Sequence, residues 1–311
     1  MNFVRMSRWC AVIAGAMFAV GCGHAAEGKK KIVFLTGPPS HGFGAHAHGA
    51  QSALFAKLLN ENVPGVQAEV VREWKGDPAP LEGAAALVIS CDGGSLIVKY
   101  LDVLDNAMKK GVGMACIHYA VDVPKGRVGD RMLDWIGGYY EQWWSVNPTW
   151  EAEFKSFPDH PITRGVKPFK INDEWYYHMR FRENMQGVTP ILSAVPPDST
   201  RERGDGPHSG NPTVRARKGM AEIVAWAAER PGGGRGFGTT AGHFYWNWGH
   251  NQMRKLMLNA FVWIAGLEVP PNGVETKPVT AAEMGAFIEK LPANGWNPMG
   301  IQRMLDQWNK E

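Results

Sequence analysis

Of the ten histidines in this 311-residue chain, His41, His46, His48, His118 and His243 stand just past short apolar runs that break into turn residues. Imidazole exchanges protons near neutral pH and is a common metal ligand. Several imidazoles at one edge would therefore form an acid–base site or an open site for a divalent transition metal such as zinc. The spacing His41-(x4)-His46-x-His48 fits no closed structural zinc motif. The expected ligand set is His41, His118 and His243, while His46 and His48, at the start of a helix, are open to a role facing solvent. A second concentration of chemistry lies in Asn172-Asp-Glu-Trp-Tyr-Tyr-His-Met-Arg-Phe-Arg182. Read as a strand, it turns Asp173, Trp175, Tyr177 and Met179 one way and Glu174, Tyr176, His178 and Arg180 the other. The second set is a polar row suited to hydroxyls and a carbonyl. The alternative is an edge strand with a salt-bridged outer face.

The elements that must carry these residues follow a regular pattern. Apolar runs at Lys31–Leu35, Val66–Val71, Ala84–Ser90 and Val112–Ile117 read as strands. Helical spacing covers Ala47–Asn62 and Ile97–Lys110. Strands that are apolar throughout, alternating with helices, indicate a parallel sheet covered on both faces. The middle of the chain, Gly126–Lys218, is less regular, with strands expected at Thr149–Phe154, Glu174–Met179 and Pro190–Val195. A hairpin of Ile223–Ala228 and Gly236–Ala241 and a helix over Asn251–Ala265 close the body. Val269-Pro-Pro then leads into an extension with a short helix, Ala281–Leu291. Ligands of open parallel sheets bind beyond the carboxyl ends of the strands. That edge is where the histidines fall, with Asp92 after the third strand and Trp246, Asn247 and Trp248 after His243 as candidate substrate contacts.

Composition narrows the classes. Apolar residues make up 44% and charged residues 20%, which excludes disorder for most of the chain. A formal charge of +3, with no basic stripe, makes nucleic acid a poor partner. Arg5 and Arg8 before the apolar run Cys10–Val20, and the small residues after it, form an export signal over residues 1–26. Two cuts are open: after Ala25 or Ala26, releasing a soluble exported protein, or before Cys22, giving an acylated, membrane-anchored lipoprotein. Of the four cysteines, only Cys91 and Cys116 then remain, both at the ends of apolar runs and read as buried free thiols. The expected layout is a leader, one α/β domain over 27–268 and an extension over 269–311.

Four segments together resemble the trehalose-utilisation (ThuA-like) family: Pro39-Ser-His-Gly42, Phe157-Pro-Asp-His-Pro-Ile-Thr-Arg-Gly165, Asp173-Glu-Trp-Tyr176 and Gly234-Arg-Gly-Phe237 with Gly242-His243. The resemblance spans about Lys31 to Leu267. It implies a flavodoxin-like, three-layer α/β sandwich with a mainly parallel central sheet, similar to class I glutamine amidotransferases. Amidotransferases keep a nucleophilic Cys on the turn after a central strand. In Ala115-Cys-Ile-His-Tyr-Ala120 that place holds His118, and Cys116 lies two residues earlier, inside the strand. His243 falls near the position of the amidotransferase catalytic His. Two imidazoles cannot run thiol acyl transfer, so a glutaminase relic using Cys116 is the weakest reading.

The resemblance also implies disaccharide catabolism and a link to 3-keto-glycosides. A ketone at C3 acidifies the C2 proton, which opens a β-elimination of the C1 substituent; hydrolysis and isomerisation of the same sugar are alternatives. Such an enzyme needs an electrophile at the ketone, a base near C2 and an acid for the leaving group. His118 and His243 would supply the first through a metal, Glu174 or a further His the second, and Tyr176 or His178 the third. Asp92, Asp173, Arg180, Trp246, Asn247 and Trp248 would bind the sugar. No nucleotide cofactor is expected. The rival, from a different class, is a non-catalytic carbohydrate-binding protein, supported by 13 tryptophans and by the missing nucleophile.

Overall fold

The computed structural model describes Met1 and residues 28–292 and 296–310. The expected leader and both cuts lie outside the described residues. Among the described residues eleven strands are present: β1 Lys30–Thr36, β2 Val66–Arg72, β3 Ala84–Ser90, β4 Gly113–Ile117, β5 Gly138–Tyr139, β6 Trp150–Phe154, β7 Phe169–Asp173, β8 Arg180–Phe181, β9 Val188–Ala194, β10 Glu222–Glu229 and β11 Arg235–Thr239. Seven of them form the central sheet in the order β2-β1-β3-β4-β11-β10-β9. β2, β1, β3, β4 and β11 pair in parallel, and β10 is antiparallel to both its neighbours. β5 with β8 and β6 with β7 make two small antiparallel ribbons beside it.

Successive residues of β1 show why the sheet is covered on both faces. Ile32 and Phe34 enter one core with the helices His48–Asn62 and Asn251–Ile264. Val33 and Leu35 enter the other, with the helices Leu101–Lys109 and Arg127–Ile136. All four of these strand side chains are fully buried, and each such apolar side chain contributes about 1.5–3 kcal/mol relative to exposure. The result is the flavodoxin-like three-layer α/β sandwich. No helix among the described residues is long and apolar enough to cross a membrane.

The differences from the sequence reading have local causes. The helix expected over Ile97–Lys110 is two, Ser95–Lys99 and Leu101–Lys109, broken at Tyr100. The expected strand Glu174–Met179 does not form. Its neighbour β7 ends at Asp173, where the carboxylate accepts from the backbone N–H groups of Gly242 and His243 at 2.9 and 3.1 Å. Beyond it, Trp175 and Tyr177 are drawn into one core and Tyr176 and Met179 into the other. His178 takes a left-handed φ of 59°, which ends any strand alternation. The extension carries two helices, Ala281–Gly285 and Met299–Trp308, in place of one. Val279, Met284 and Leu305 join the same core as β1.

Candidate functional site

Four adjacent strands, β1, β3, β4 and β11, end side by side, and their following turns carry His41 and His46, Asp92, His118 and His243. Three of these imidazoles converge with one carboxylate. His46 Nε2 lies 3.1 Å from both His118 Nε2 and His243 Nδ1. Glu174 Oε2 lies 2.9 Å from His243 Nδ1 and 3.3 Å from His118 Nε2. The ligand atoms of all four residues are within 4.8 Å of one another. Three of the histidines at this edge, His41, His46 and His118, have left-handed φ of 63°, 42° and 54°. Such backbone costs about 1–3 kcal/mol per residue in non-glycine positions and collects at functional sites.

Hydrogen bonds on the far side of each ring fix what the rings present. His118 Nδ1 donates to the Thr240 carbonyl at 2.7 Å. His46 Nδ1 donates to Asp92 Oδ1 at 2.7 Å, and His48 Nε2 donates to the same oxygen at 2.9 Å. Burial, against the opposing pull of Asp92, lowers the His46 pKa to about 4, so its Nε2 carries a lone pair at neutral pH. Burial alone would raise the Asp92 pKa, but the bonds from His46, His48 and Ser40 outweigh it and hold the carboxyl well below its usual range. Glu174 behaves alike: burial is outweighed by bonds from His118 and His243, which keep it ionised. For His243, the lowering by burial is exceeded by its bond to Glu174, and its pKa is raised.

Two Nε2 atoms 3.1 Å apart with a carboxylate oxygen beside them require a proton or a cation among them. Zinc bonds of about 2.0–2.1 Å would space tetrahedral ligand atoms about 3.3–3.4 Å apart, close to the separations found. Imidazoles whose other nitrogen donates to a carbonyl or carboxylate are the usual second-layer arrangement around a metal. The residues therefore fit a divalent transition ion, with His46 in the place expected for His41. His41 sits at the rim, its ring 3.9 Å from that of His46 and its Nδ1 2.8 Å from Ser40 Oγ.

The remaining sequence-derived candidates divide. Tyr176 Oη lies 3.0 Å from His118 Nε2, and burial holds the phenol protonated, its pKa well above the usual tyrosine range. Asp173 and Asn247 support the frame: Asp173 holds the His243 turn, and Asn247 Nδ2 donates to the Asn172 carbonyl at 2.9 Å. His178 is a correction, because its ring stacks on Trp144 and its Nε2 meets Thr213. Arg180 likewise points away, covering the Trp144 ring and pairing with Glu141. Trp248 is buried and gives its indole N–H to Gln51, and Trp246 is stacked beneath Trp296, so neither offers a free face to a sugar. Cys91 and Cys116 are free and buried, as expected.

Other groups at the site carry no sequence signal of their own. Asn147 Nδ2 donates to Glu174 Oε1 at 3.2 Å. Asp122 is buried with its carboxylate 3.6 Å from His208 Nδ1, and the Tyr140 hydroxyl lies 3.2 Å from that same nitrogen. Burial pushes the Asp122 pKa up to about 7. All of these come from turns or from the irregular middle of the chain. A cavity of about 760 Å³ lies by the chain segments that lead into β4 and β11, away from the histidines. Its Arg182 and Arg230 are already committed to main-chain carbonyls.

Comparison with known proteins agrees with this architecture. A protein from Bacteroides uniformis described as ThuA-like superposes with a TM-score of 0.52 at 16% identity, over 78% of this chain and 94% of that one. Another so described, from Parabacteroides merdae, gives 0.49 at 14% identity, over 81% and 93%. No curated protein matches. The family model for ThuA, described as trehalose utilisation, matches residues 31–264, and the chain belongs to that family.

Proposed function

We propose that this protein is an exported enzyme of carbohydrate catabolism that eliminates the C1 substituent of a 3-keto-glycoside at the cluster of His46, His118, His243 and Glu174. The observation that carries the reading is the convergence of three imidazole nitrogens and a carboxylate at the carboxyl edge of four neighbouring strands. Three protein ligands with a position left for substrate is the pattern of catalytic rather than structural zinc. An ion held by the three imidazoles would supply an electrophile for the C3 ketone oxygen.

The chain's own groups do the rest. Glu174, kept ionised by its imidazole neighbours, accepts the C2 proton. The C2–H electron pair becomes the C1=C2 double bond, and the C1–O pair leaves with the glycosidic oxygen. That oxygen takes a proton from His41 at the rim. No oxidant is consumed, because the substrate arrives already oxidised. The Thr240 carbonyl holds His118 in place, Asn147 holds Glu174, and the Tyr176 hydroxyl stands beside the His118 ligand atom. Trp246 and Trp248, spent in packing, lend the carbohydrate-binding rival no stacking face.

The test measures metal content and turnover of 3-keto-trehalose by purified protein. A stoichiometric transition metal lost in His118→Ala, and turnover abolished in both His118→Ala and His243→Ala, is the expected result. Full activity in both variants would overturn the proposal.

A further inference from the structure

Two cavities flank the cluster, one on each side. The first, about 470 Å³, has Glu174 in its wall together with Asn147, Thr149 and Arg203. The second, about 410 Å³, has Ser40, His41 and Phe43 on one wall and Ile288 to Pro292 of the C-terminal extension on the other. The cluster links their walls: the His41 ring is 5.7 Å from the His243 ring, and His243 is 2.9 Å from Glu174. Each is within the range of about 300–1,000 Å³ typical of small-molecule sites.

We infer that the C-terminal extension closes a leaving-group subsite: with the oxidised ring in the Glu174 cavity, the leaving ring of a two-ring substrate lies in the cavity walled by that extension. The inference rests on the elimination proposed above and adds to it a leaving-group subsite. That subsite's outer wall lies beyond residue 264, where the family match ends. Its chemistry suits a neutral polyhydroxylated ring. Phe43 is exposed and offers an apolar surface for ring C–H groups, while Ser40, His41 and the glycine-rich main chain offer hydrogen bonds. Glu289 pairs with Arg72, so that guanidinium is not free to clamp a phosphate, and Lys290 stands in the same wall as a further hydrogen-bond donor.

The wall is fixed relative to the chemistry. Tyr245 Oη donates to the Met284 carbonyl at 2.9 Å, Trp296 stacks on Trp246 at 5.4 Å, and Asn309 Nδ2 donates to the Gly249 carbonyl at 3.0 Å. These contacts bolt the extension to the turn that carries His243. The other wall is tied to the same turn through Gly44, whose carbonyl accepts from Tyr245 N at 2.8 Å. Gly44 has φ of 79° and a Cβ there would meet the Trp246 indole nitrogen at 2.5 Å, so only glycine lets the loop lie this close.

The experiment compares kcat/KM of the full-length, metal-loaded protein for 3-keto-trehalose and for methyl 3-keto-α-glucoside, which lacks the second ring. The expected wild-type preference for the disaccharide is about tenfold or more, and Leu291→Arg, which intrudes on the second cavity, lowers that ratio about tenfold. A folding fault lowers both rates and leaves the ratio alone, so an unchanged ratio in Leu291→Arg overturns the subsite. Turnover of both substrates by wild type without preference overturns the two-ring assignment and leaves the elimination standing. Turnover of neither overturns both.

Discussion

Asp92 touches no substrate in the mechanism above, yet its replacement by Asn is the sharpest probe of the cluster. One oxygen, Oδ1, accepts from His46 at 2.7 Å and from His48 at 2.9 Å. An amide keeps an acceptor at that place but removes the charge. A hydrogen bond to a charged group is worth about 1.5–3 kcal/mol against about 0.5–1.5 for a neutral one, a loss of about 1–1.5 kcal/mol per bond. Only the His46 bond is in line with the cluster, so its loss sets a floor of roughly tenfold in metal affinity. If the amide turns its NH₂ toward His46, the ring must reverse its tautomer or rotate. That moves the effect toward about 100-fold, the upper end for such supporting groups. Competition titration of zinc against a chromophoric chelator reads the change directly, with the melting temperature of metal-free protein as the control for folding. Wild-type zinc affinity in Asp92→Asn would refute the argument that His46 is a ligand oriented from behind.

Asp122→Asn tests the buried carboxyl beside His208, Tyr119 and Tyr140: with a folded pKa of about 7 above the unfolded Asp value, wild-type stability falls as pH rises from about 4 through 7, by up to about 4 kcal/mol. Denaturant titrations should therefore show the variant gaining on wild type between pH 5 and pH 8, and a constant difference would contradict the assignment. Cys116→Ser should keep metal binding and turnover, because the thiol is sealed in the sheet and burial raises its pKa; selective loss of turnover in a folded variant would restore thiol chemistry to the site.

How much of this was legible beforehand depends on which residues are considered. Apolar strands ending in Ser90-Cys91-Asp92 and Ile117-His118 announce a parallel sheet and the edge where ligands gather, and both survive in the structure. Which histidine after β1 joins His118 was not legible, since it is decided by left-handed turns at His41 and His46 that any sequence window reads only as a loop. The Asp173–Arg182 segment misled for a related reason. Its alternating aromatics mimic a strand, but the alternation serves two cores on either side of an irregular crossing. Composition could not tell stacking tryptophans from packing ones: Trp246 and Trp248 brace the His243 turn from inside. His46 therefore stands where His41 was expected beside His118 and His243, while the cluster stays at the same sheet edge.

The position of His118 connects these observations. A tight turn after a central strand holds its first residue at φ of 54° and so projects one side chain over the sheet edge. The turn fixes a direction, and the residue chosen fixes the chemistry. An imidazole there, with Nδ1 committed to Thr240, leaves only Nε2 for the cleft, and that atom meets His46, Glu174 and Tyr176 within 3.0–3.3 Å. The opposing side is equally constrained. Gly242 has φ of 119° and a Cβ there would come within 2.8 Å of the Trp248 ring and 3.4 Å of His118 Cβ, so the two histidine-bearing turns interlock through a position that accepts only glycine. A site assembled this way has little freedom to admit a thiol or to relax when one imidazole is removed. It holds charge at one point, which is what the elimination we propose requires.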